Sequence, residues 1–280
     1  MKKIRIPEAP SSIQKGVPLK EVLGLEAIEQ LAINLQIMHP PFPKEAFIAQ
    51  ALSGLGPLSI TQRSEHIADA MQQYLPAPFE DAIRIILESL TEPLEKTEDN
   101  GLAPMFYMPH CHFVAKYGVD AKYNDGKDPF ETSMKAQYEL TKRFTAEFSI
   151  RSFIIDDEER TMKVLYAWMH DDDPHVRRLC SEGTRPRLPW STKIPSFVKD
   201  PSPSLPILEA LKNDPNLYVR RSVANHLGDI GKDHLEILLT TCEKWLDGAS
   251  KELKWVIRHA LRHPDKKGNE RASQIRLAAK

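Results

Sequence analysis

An all-α fold is predicted for this 280-residue chain by three observations. Strand signals are scarce: period-two alternation is nearly absent, and no Asn-Gly or Asp-Gly turn joins two β-branched runs. Apolar residues recur at helical spacing instead, as in Leu235, Leu238, Leu239, Cys242, Trp245 and Leu246, and again in Leu253, Val256, Ile257 and Ala260. Twelve glycines against 22 prolines disfavour the glycine-rich turns of nucleotide-binding sheets.

The elements can be justified in order. Helices are expected over 19–38, 44–54, 60–74 and 78–92, separated by Pro-containing turns. Residues 93–104 (EPLEKTEDNGLA) are polar and read as a loop. Residues 105–118 (MFYMPHCHFVAKYG) are aromatic-rich and begin near a proline. A second polar loop over 120–130 precedes a helix over 131–143.

From 144 onward a repeat emerges. Asp173-Pro174 opens a helix containing Val176-Arg177-Arg178, and Asp214-Pro215, 41 residues later, opens one containing Val219-Arg220-Arg221. Asp is a good N-cap and Pro suits the first helical position. Looser copies are Phe148-Ser149-Ile150-Arg151 upstream and Trp255-Val256-Ile257-Arg258 downstream, the latter 37 residues after Tyr218-Val219-Arg220-Arg221. Second amphipathic helices accompany them over 158–170, 203–212 and 234–246. A helix pair repeated about every 40 residues is the signature of a HEAT-type α-solenoid, whose stacked neighbours bury the apolar stripes. The expected organisation is a helical N-terminal region over 1–130 packed on repeats over 131–280.

Composition limits function. With 41% hydrophobic and 28% charged residues the chain reads as globular, and it has no apolar run of the ~18 residues a transmembrane helix needs. MKKIRIPEAPSS has no apolar core, so no secretory signal is expected. Cys111, Cys180 and Cys242 are widely spaced and form no C-x-x-C pair, which points to reduced thiols and a cytoplasmic location. The net charge of −1 hides an asymmetry: residues 1–100 carry 9 basic and 14 acidic side chains, and residues 201–280 carry 14 and 10. A local basic face is therefore compatible with a neutral total.

Stacking would array Arg151, Arg177 or Arg178, Arg220 or Arg221, and Arg258, with Lys254 beside it, as a ladder. Guanidiniums so arrayed suit phosphates. The alternative is that each pairs with an acidic cap of the neighbouring repeat.

Three segments break the amphipathic pattern. In Phe144–Arg151, Glu147 sits between aromatics, where desolvation is costly without a partner; a helical i,i+4 pair with Arg151 is the plain alternative. In Ser181–Trp190, Gly183 can end a helix and two prolines stiffen a loop bearing Arg185, Arg187 and Trp190, typical of a binding element. Trp190 could equally cap the core between repeats. In Tyr218–Ile230, Asp229 lies at a helix C-terminus, where an acid is unfavourable unless an arginine is near or a function requires it.

These segments, EFSIRSFI, HVRRLCSEGTRPRLPW and DPNLYVRRSVANHLGDI, resemble the AlkC-type DNA alkylation repair glycosylases of the HEAT-like repeat superfamily. The resemblance spans roughly 130–263, with looser similarity through YLP at 74–76 and FVAKYG. It implies excision of cationic N3-alkylated bases, 3-methyladenine and 3-methylcytosine, from double-stranded DNA, by a monomer, without metal or cofactor and without full base flipping. It also implies cleft positions for Glu147, Glu182, Trp190 and Asp229, while the ladder and the stiff loop lead to the expectation of DNA contacts from Arg151, Arg185, Arg187, Arg220, Arg221, Lys254 and Arg258. Departures fall at Ser149, Ser152, Thr184 and Gly228, the last of which could loosen the backbone beside Asp229. Some relatives carry an immunoglobulin-like C-terminal domain that the resemblance does not extend to, so the repeats are expected to make the DNA contacts.

The chemistry agrees with that resemblance. An N3-alkylated purine is already cationic and leaves neutral, so no general acid is needed. Carboxylates can stabilise the positive charge growing on the sugar and position a water. An aromatic face adds attraction for a charged base. A non-catalytic repeat scaffold binding DNA or protein is the competing expectation. His110-Cys111-His112 lacks a distant partner pair for a metal, Asp171-Asp172-Asp173 lacks the glycine of a calcium loop, and Asp156–Glu159 reads as a helix start.

Overall fold

The computed structural model describes residues 3–189 and 191–280, and among them there is no strand. The chain divides into two compact units, Met1–Ser152 and Phe153–Lys280.

The first unit contains α1 (Leu25–Met38), α2 (Lys44–Leu52), α3 (Ile60–Tyr74), α4 (Phe79–Glu88), α5 (Met108–Tyr117) and α6 (Phe130–Thr141); the division falls inside α7 (Ile150–Asp156). The helix expected over 19–38 is interrupted at Gly24, with a 3-10 turn over Leu19–Leu23 before α1. A capping box starts α3: Gln62 N–H donates to Ser59 Oγ (3.4 Å) and Ser59 N–H donates to Gln62 Oε1 (2.9 Å). The helix expected over 78–92 stops at Glu88, where the Ser89 hydroxyl donates to the Ile86 carbonyl (2.7 Å). Pro109 occupies the first turn of α5, where its missing N–H costs nothing. α3 lies against α5, and Phe79 stacks on Phe113 at 6.0 Å. Gly118 ends α5 where a Cβ would come within 2.5 Å of Ser133 Oγ on α6, and Ser133 donates to the Gly118 carbonyl (2.8 Å).

The second unit contains α8 (Glu158–Trp168), α9 (Pro174–Gly183), α10 (Pro195–Lys199), α11 (Leu205–Leu211), α12 (Leu217–Ile230), α13 (Leu235–Leu246), α14 (Lys251–Ala260), α15 (Arg262–Lys266) and α16 (Glu270–Ala278). It is the two-layered stack expected of a helical repeat. α12 lies between α9 and α14, while α8, α11 and α13 pack behind them. Val176, Leu179, Val219, Val223, Val256 and Ile257 fill the seam and are buried. α13 is tied to α11 by Trp245 Nε1–H, which donates to Glu209 Oε2 (2.7 Å).

The repeat register differs from the Asp-Pro spacing. Asp173 caps α9 by accepting from His175 N–H (2.8 Å), but α12 is capped by Asn216, which accepts from Tyr218 N–H (2.9 Å). Asp214 instead matches Asp171: each accepts an N–H two residues on, from Asn216 and Asp173 respectively, both at 2.8 Å. The true repeat is thus two residues longer than the Asp-Pro spacing, and it aligns His175-Val176-Arg177-Arg178 with Tyr218-Val219-Arg220-Arg221. Proline is tolerated at both sites, but only Pro174 is inside a helix.

Candidate active site

The first arginine of each Val-Arg-Arg run folds back to its own helix start. Arg177 Nη1 donates to the carbonyls of Asp171 (2.8 Å) and Asp172 (2.9 Å); Arg220 Nη1 donates to those of Asp214 (2.6 Å) and Pro215 (3.0 Å). Arg177 also reaches the next repeat, donating from Nε (2.6 Å) and Nη2 (3.1 Å) to the two carboxylate oxygens of Asp214. The expected phosphate ladder is corrected at these positions: Arg177 stitches one repeat to the next, and Arg177 and Arg220 each brace the turn ahead of their own helix. Arg258 Nη1 donates to the Ala279 carbonyl, and Arg151, in the first unit, is 1% exposed. Arg221 remains exposed and Lys254 half-buried.

The loop after α9 is likewise not an exposed arginine arm. Arg185 is 8% exposed and lies between two buried acids, Glu182 (6%) at the end of α9 and Asp229 (3%) at the end of α12. Its Nη1 donates to Glu182 Oε1, and its Nε donates to Asp229 Oδ2 (2.7 Å). The second oxygen of each acid is also satisfied: Ser222 Oγ donates to Glu182 Oε2 (2.6 Å), and Lys232 Nζ donates to Asp229 Oδ1 (2.6 Å). Arg178 approaches Glu182 at 3.8 Å and lies over the Tyr218 ring. Arg187 is held by Asp233 through Nε (2.6 Å) and Nη2 (2.9 Å).

Burial alone would push the Glu182 carboxyl up. The Arg178 and Arg185 guanidiniums and the Ser222 hydroxyl outweigh that and hold it below the usual carboxylate range. Burial likewise pulls the Arg185 guanidinium down, but Glu182 and Asp229 more than offset it. Glu182 and Arg185 are therefore held in their charged forms, and the acid at the end of α12 has the nearby arginine that its unfavourable dipole position calls for. Gly228 is not a point of looseness: α12 is regular to Ile230, and a Cβ at 228 would meet the Ala260 carbonyl at 3.1 Å, so glycine lets α12 and α14 approach closely.

In the first unit Glu147 is 8% exposed. It lies in a turn ahead of α7. Thr145 Oγ1 donates to Glu147 Oε2 (2.9 Å) and accepts from Glu147 N–H (3.2 Å). The turn is pinned from two sides. Cys111 Sγ–H on α5 donates to the Thr145 carbonyl (3.3 Å), and Ser149 Oγ donates to Gln137 Oε1 on α6 (3.0 Å). Trp190, expected beside these acids, lies outside the described residues.

Several participants were not singled out by sequence: Ser222, Arg178 as a partner of Glu182, Lys232, and a group beyond Asp229. There Arg262 Nη2 donates to Asn225 Oδ1 (3.0 Å), and Trp255 stacks on His259 at 4.9 Å. Helical spacing offered a signal for some of these. Arg178 and Arg185 flank Glu182 at four and three residues, and Ser222 lies two turns before Asp229 on one face. His110, Cys111 and His112 do not converge on a site. His110 is buried among Phe106 and Tyr107, while His112 Nδ1 shares a hydrogen bond with Ser64 Oγ (2.6 Å). Among the described residues no group of three or more His, Cys, Asp or Glu is placed to hold a metal ion, and no helix is long and apolar enough to cross a membrane.

Paired-helix repeats holding buried carboxylates, each bonded to a cation, at helix ends in successive repeats define a class: an α-solenoid with a buried acidic centre. No family model matches the chain. It is 37% identical to the Pseudomonas fluorescens alkylpurine DNA glycosylase AlkC, solved bound to DNA containing an abasic site analog, with a TM-score of 0.80 over 92% of this chain and 67% of that one. It is 36% identical over 255 residues to the uncharacterized protein YhaZ of Bacillus subtilis, covering 91% of this chain and 66% of that protein. The chain thus spans about two thirds of the length of the relatives it matches. It belongs to the AlkC family.

Proposed function

We propose that this protein is a DNA glycosylase of alkylation repair that excises cationic N3-alkylated bases, 3-methyladenine and 3-methylcytosine, by hydrolysing the N-glycosidic bond. The observation that carries this reading is the buried pair Glu182 and Asp229, kept anionic by cations rather than neutralised. A cationic base leaves as a neutral molecule, so the bond needs no general acid. Positive charge develops on the sugar as it breaks, and anions fixed beforehand stabilise that charge more in the transition state than in the ground state. A carboxylate can also orient the water that completes hydrolysis. Glu147 and Trp190 are the other candidates that the family resemblance offers, an indole being a side chain whose π-face attracts a charged base. The partner is double-stranded DNA carrying such lesions, the acting species is a monomer, and the place of action is the cytoplasm, at the nucleoid. Exposed Arg221 and half-buried Lys254 are the sequence-derived cations best placed to reach phosphate.

The test is to incubate purified protein with methylated duplex DNA and measure released bases by mass. Release of 3-methyladenine is expected, with little uracil or hypoxanthine from DNA containing those neutral lesions. Comparable rates on uracil and 3-methyladenine would remove leaving-group charge as the driving term. DNA binding with no release would favour the scaffold reading.

A further inference from the structure

We propose that Arg185 is the positioning residue of the carboxylate pair: an internal cation that fixes Glu182 and Asp229 relative to one another, both as anions, before DNA is bound. The proposal rests on the glycosylase reading above for its catalytic consequence, and on geometry for the rest.

Arg185 comes from the loop after α9, yet it bonds an acid on α9 and an acid on α12. Both its Nε edge and its Nη1 are committed, and the side chain is nearly inaccessible, so it is not available as a phosphate contact. A guanidinium is planar and presents its donors in a fixed fork, so bonding two acids at once sets their separation and their relative plane. The other oxygen of each acid is held by an independent donor, Ser222 or Lys232. Neither carboxylate can rotate without breaking two bonds. Ser222 is itself braced, because its hydroxyl lies 3.0 Å from Ser181 Oγ. A buried charge cluster is a poor stabiliser compared with apolar packing of the same volume. A cluster that keeps acids charged at a helix C-terminus is instead suited to preorganisation, since charge fixed in advance costs no reorganisation when the sugar cation forms.

The charged groups facing the pair come from each neighbouring element: Arg178 on α9, Arg185 on the loop, Lys232 just past α12, and Arg262 at the start of α15, whose charge acts on Asp229 and Arg185. Without Arg185, burial is opposed by Arg178 and the Ser222 hydroxyl with one fewer cation, so the Glu182 carboxyl moves up.

The experiment uses the full-length chain with Arg185→Gln and Arg185→Lys. Carbon-13 titration of the Glu and Asp carboxyls without DNA comes first. Glu182 should titrate below the usual carboxylate range in the parent and move up in Arg185→Gln; no upward movement overturns the proposal. Single-turnover excision of 3-methyladenine at saturating protein is the second readout. Arg185→Gln should lose about 100-fold in rate, as a small misplacement of a reacting group does, with its acid limb moved to higher pH. DNA affinity and its salt slope should stay at the parental values. Arg185→Lys keeps the charge but not the fork, so its acid limb should stay put while its rate falls about tenfold. A phosphate-contacting arginine would give the reverse: a salt slope smaller by about 0.9 and an unchanged saturated rate. A merely structural arginine would lower the melting temperature in both variants and leave the acid limb where it was. If Arg185→Gln does not fold, Arg185→Lys decides, and a parental rate in that variant overturns the proposal. If the parent releases no base at all, the glycosylase reading fails, while the titration still decides whether Arg185 sets the charge of the pair.

Discussion

His110 in the first unit and Arg185 in the second are both buried ionisable side chains, and the two units treat them in opposite ways. His110 is 1% exposed, packed edge-on against Tyr107 and tilted against Phe106, and neither ring nitrogen has a hydrogen-bond partner among the described residues. Burial pushes its pKa down to about 3, so it is neutral at any ordinary pH. Arg185 is buried to a similar degree but surrounded by carboxylates, and stays charged. At His110, which has no partner to offset burial, the first unit keeps a titratable group neutral, although elsewhere it buries charge against a partner, as Arg63 against Glu21. The second retains charge at the ends of two stacked helices, at the expense of stability, which is where a function that needs fixed charge belongs.

The sharpest way to break this contrast is to neutralise the charged centre. Glu182→Gln and Asp229→Asn preserve shape and remove one anion each. Excision of 3-methyladenine should fall by 100- to 1,000-fold for each, about 2.7–4 kcal/mol of barrier, as for loss of one preorganised charge-stabilising group. Melting temperatures should change far less than rates. If both variants excise at the parental rate, the buried acids are structural and the contrast with His110 loses its functional meaning.

A second intervention tests whether buried charge in the second unit is also used purely for structure. Asp214 is buried and accepts two hydrogen bonds from Arg177 across the repeat boundary. Asp214→Ala leaves that guanidinium without its partner and removes the acceptor for Asn216 N–H. Denaturant unfolding should show a loss of about 3 kcal/mol, at the low end for a broken buried pair because Arg177 is partly solvated. Rate per folded molecule should not change, which separates this pair from the Arg185 cluster.

The pH dependence of stability sharpens the comparison further. His110 is harder to protonate in the folded chain than in the unfolded one, so the unfolded state takes up a proton first as pH falls. Stability should decline from about pH 6.5 down to about 3 and then level off. Glu182 is shifted in the same direction, but in the lower pH range of a carboxylate. Its lowered folded pKa gives stability that is fully present above the ordinary carboxylate value and is lost only as pH falls through the folded value. His110→Phe should therefore flatten the part of the profile between pH 6.5 and the carboxylate range. It should also add about 1 kcal/mol near neutrality by removing two unsatisfied nitrogens. A slope that persists in His110→Phe would mean that another group causes it.

The fold was legible because its evidence is local and repeated: apolar spacing, proline turns and the recurring Val-Arg-Arg mark most helices within a few residues. The repeat register was less legible, because Asp214-Pro215 looks like a cap to any reading that weighs dipeptides, whereas Asn216 does the capping. The acids of the site were legible through family resemblance and through their awkward positions, Asp229 above all. Partners were not. Glu182 and Asp229 are joined by a loop arginine 44 residues from one of them, and nothing in spacing shows that Arg185 turns inward rather than out. The same holds for Arg177 and Arg220. A basic residue after a buried valine reads as a surface cation until its helix start is known to leave two carbonyls within reach.

That reassignment changes what salt should do to DNA binding. If every arginine singled out by sequence touched phosphate, affinity would fall steeply with ionic strength, by about 0.9 in log–log slope per contact. Arg151, Arg185, Arg187, Arg220 and Arg258 are instead buried or bonded within the protein, so the slope should be shallow, about 2 to 3. Arg221 and Lys254 should carry part of it. Arg221→Gln and Lys254→Gln should each reduce the slope by about one and weaken binding a fewfold at low salt. Neither should alter the excision rate at saturating protein, because a phosphate contact acts on binding rather than on the bond-breaking step. Equilibrium binding to a duplex carrying an abasic site analog, repeated across salt concentrations, reads both effects at once. A steep slope in the parent that Arg187→Gln reduces would mean that the Arg187–Asp233 pair opens on DNA, and the structural assignment of that arginine would then hold only for the free protein.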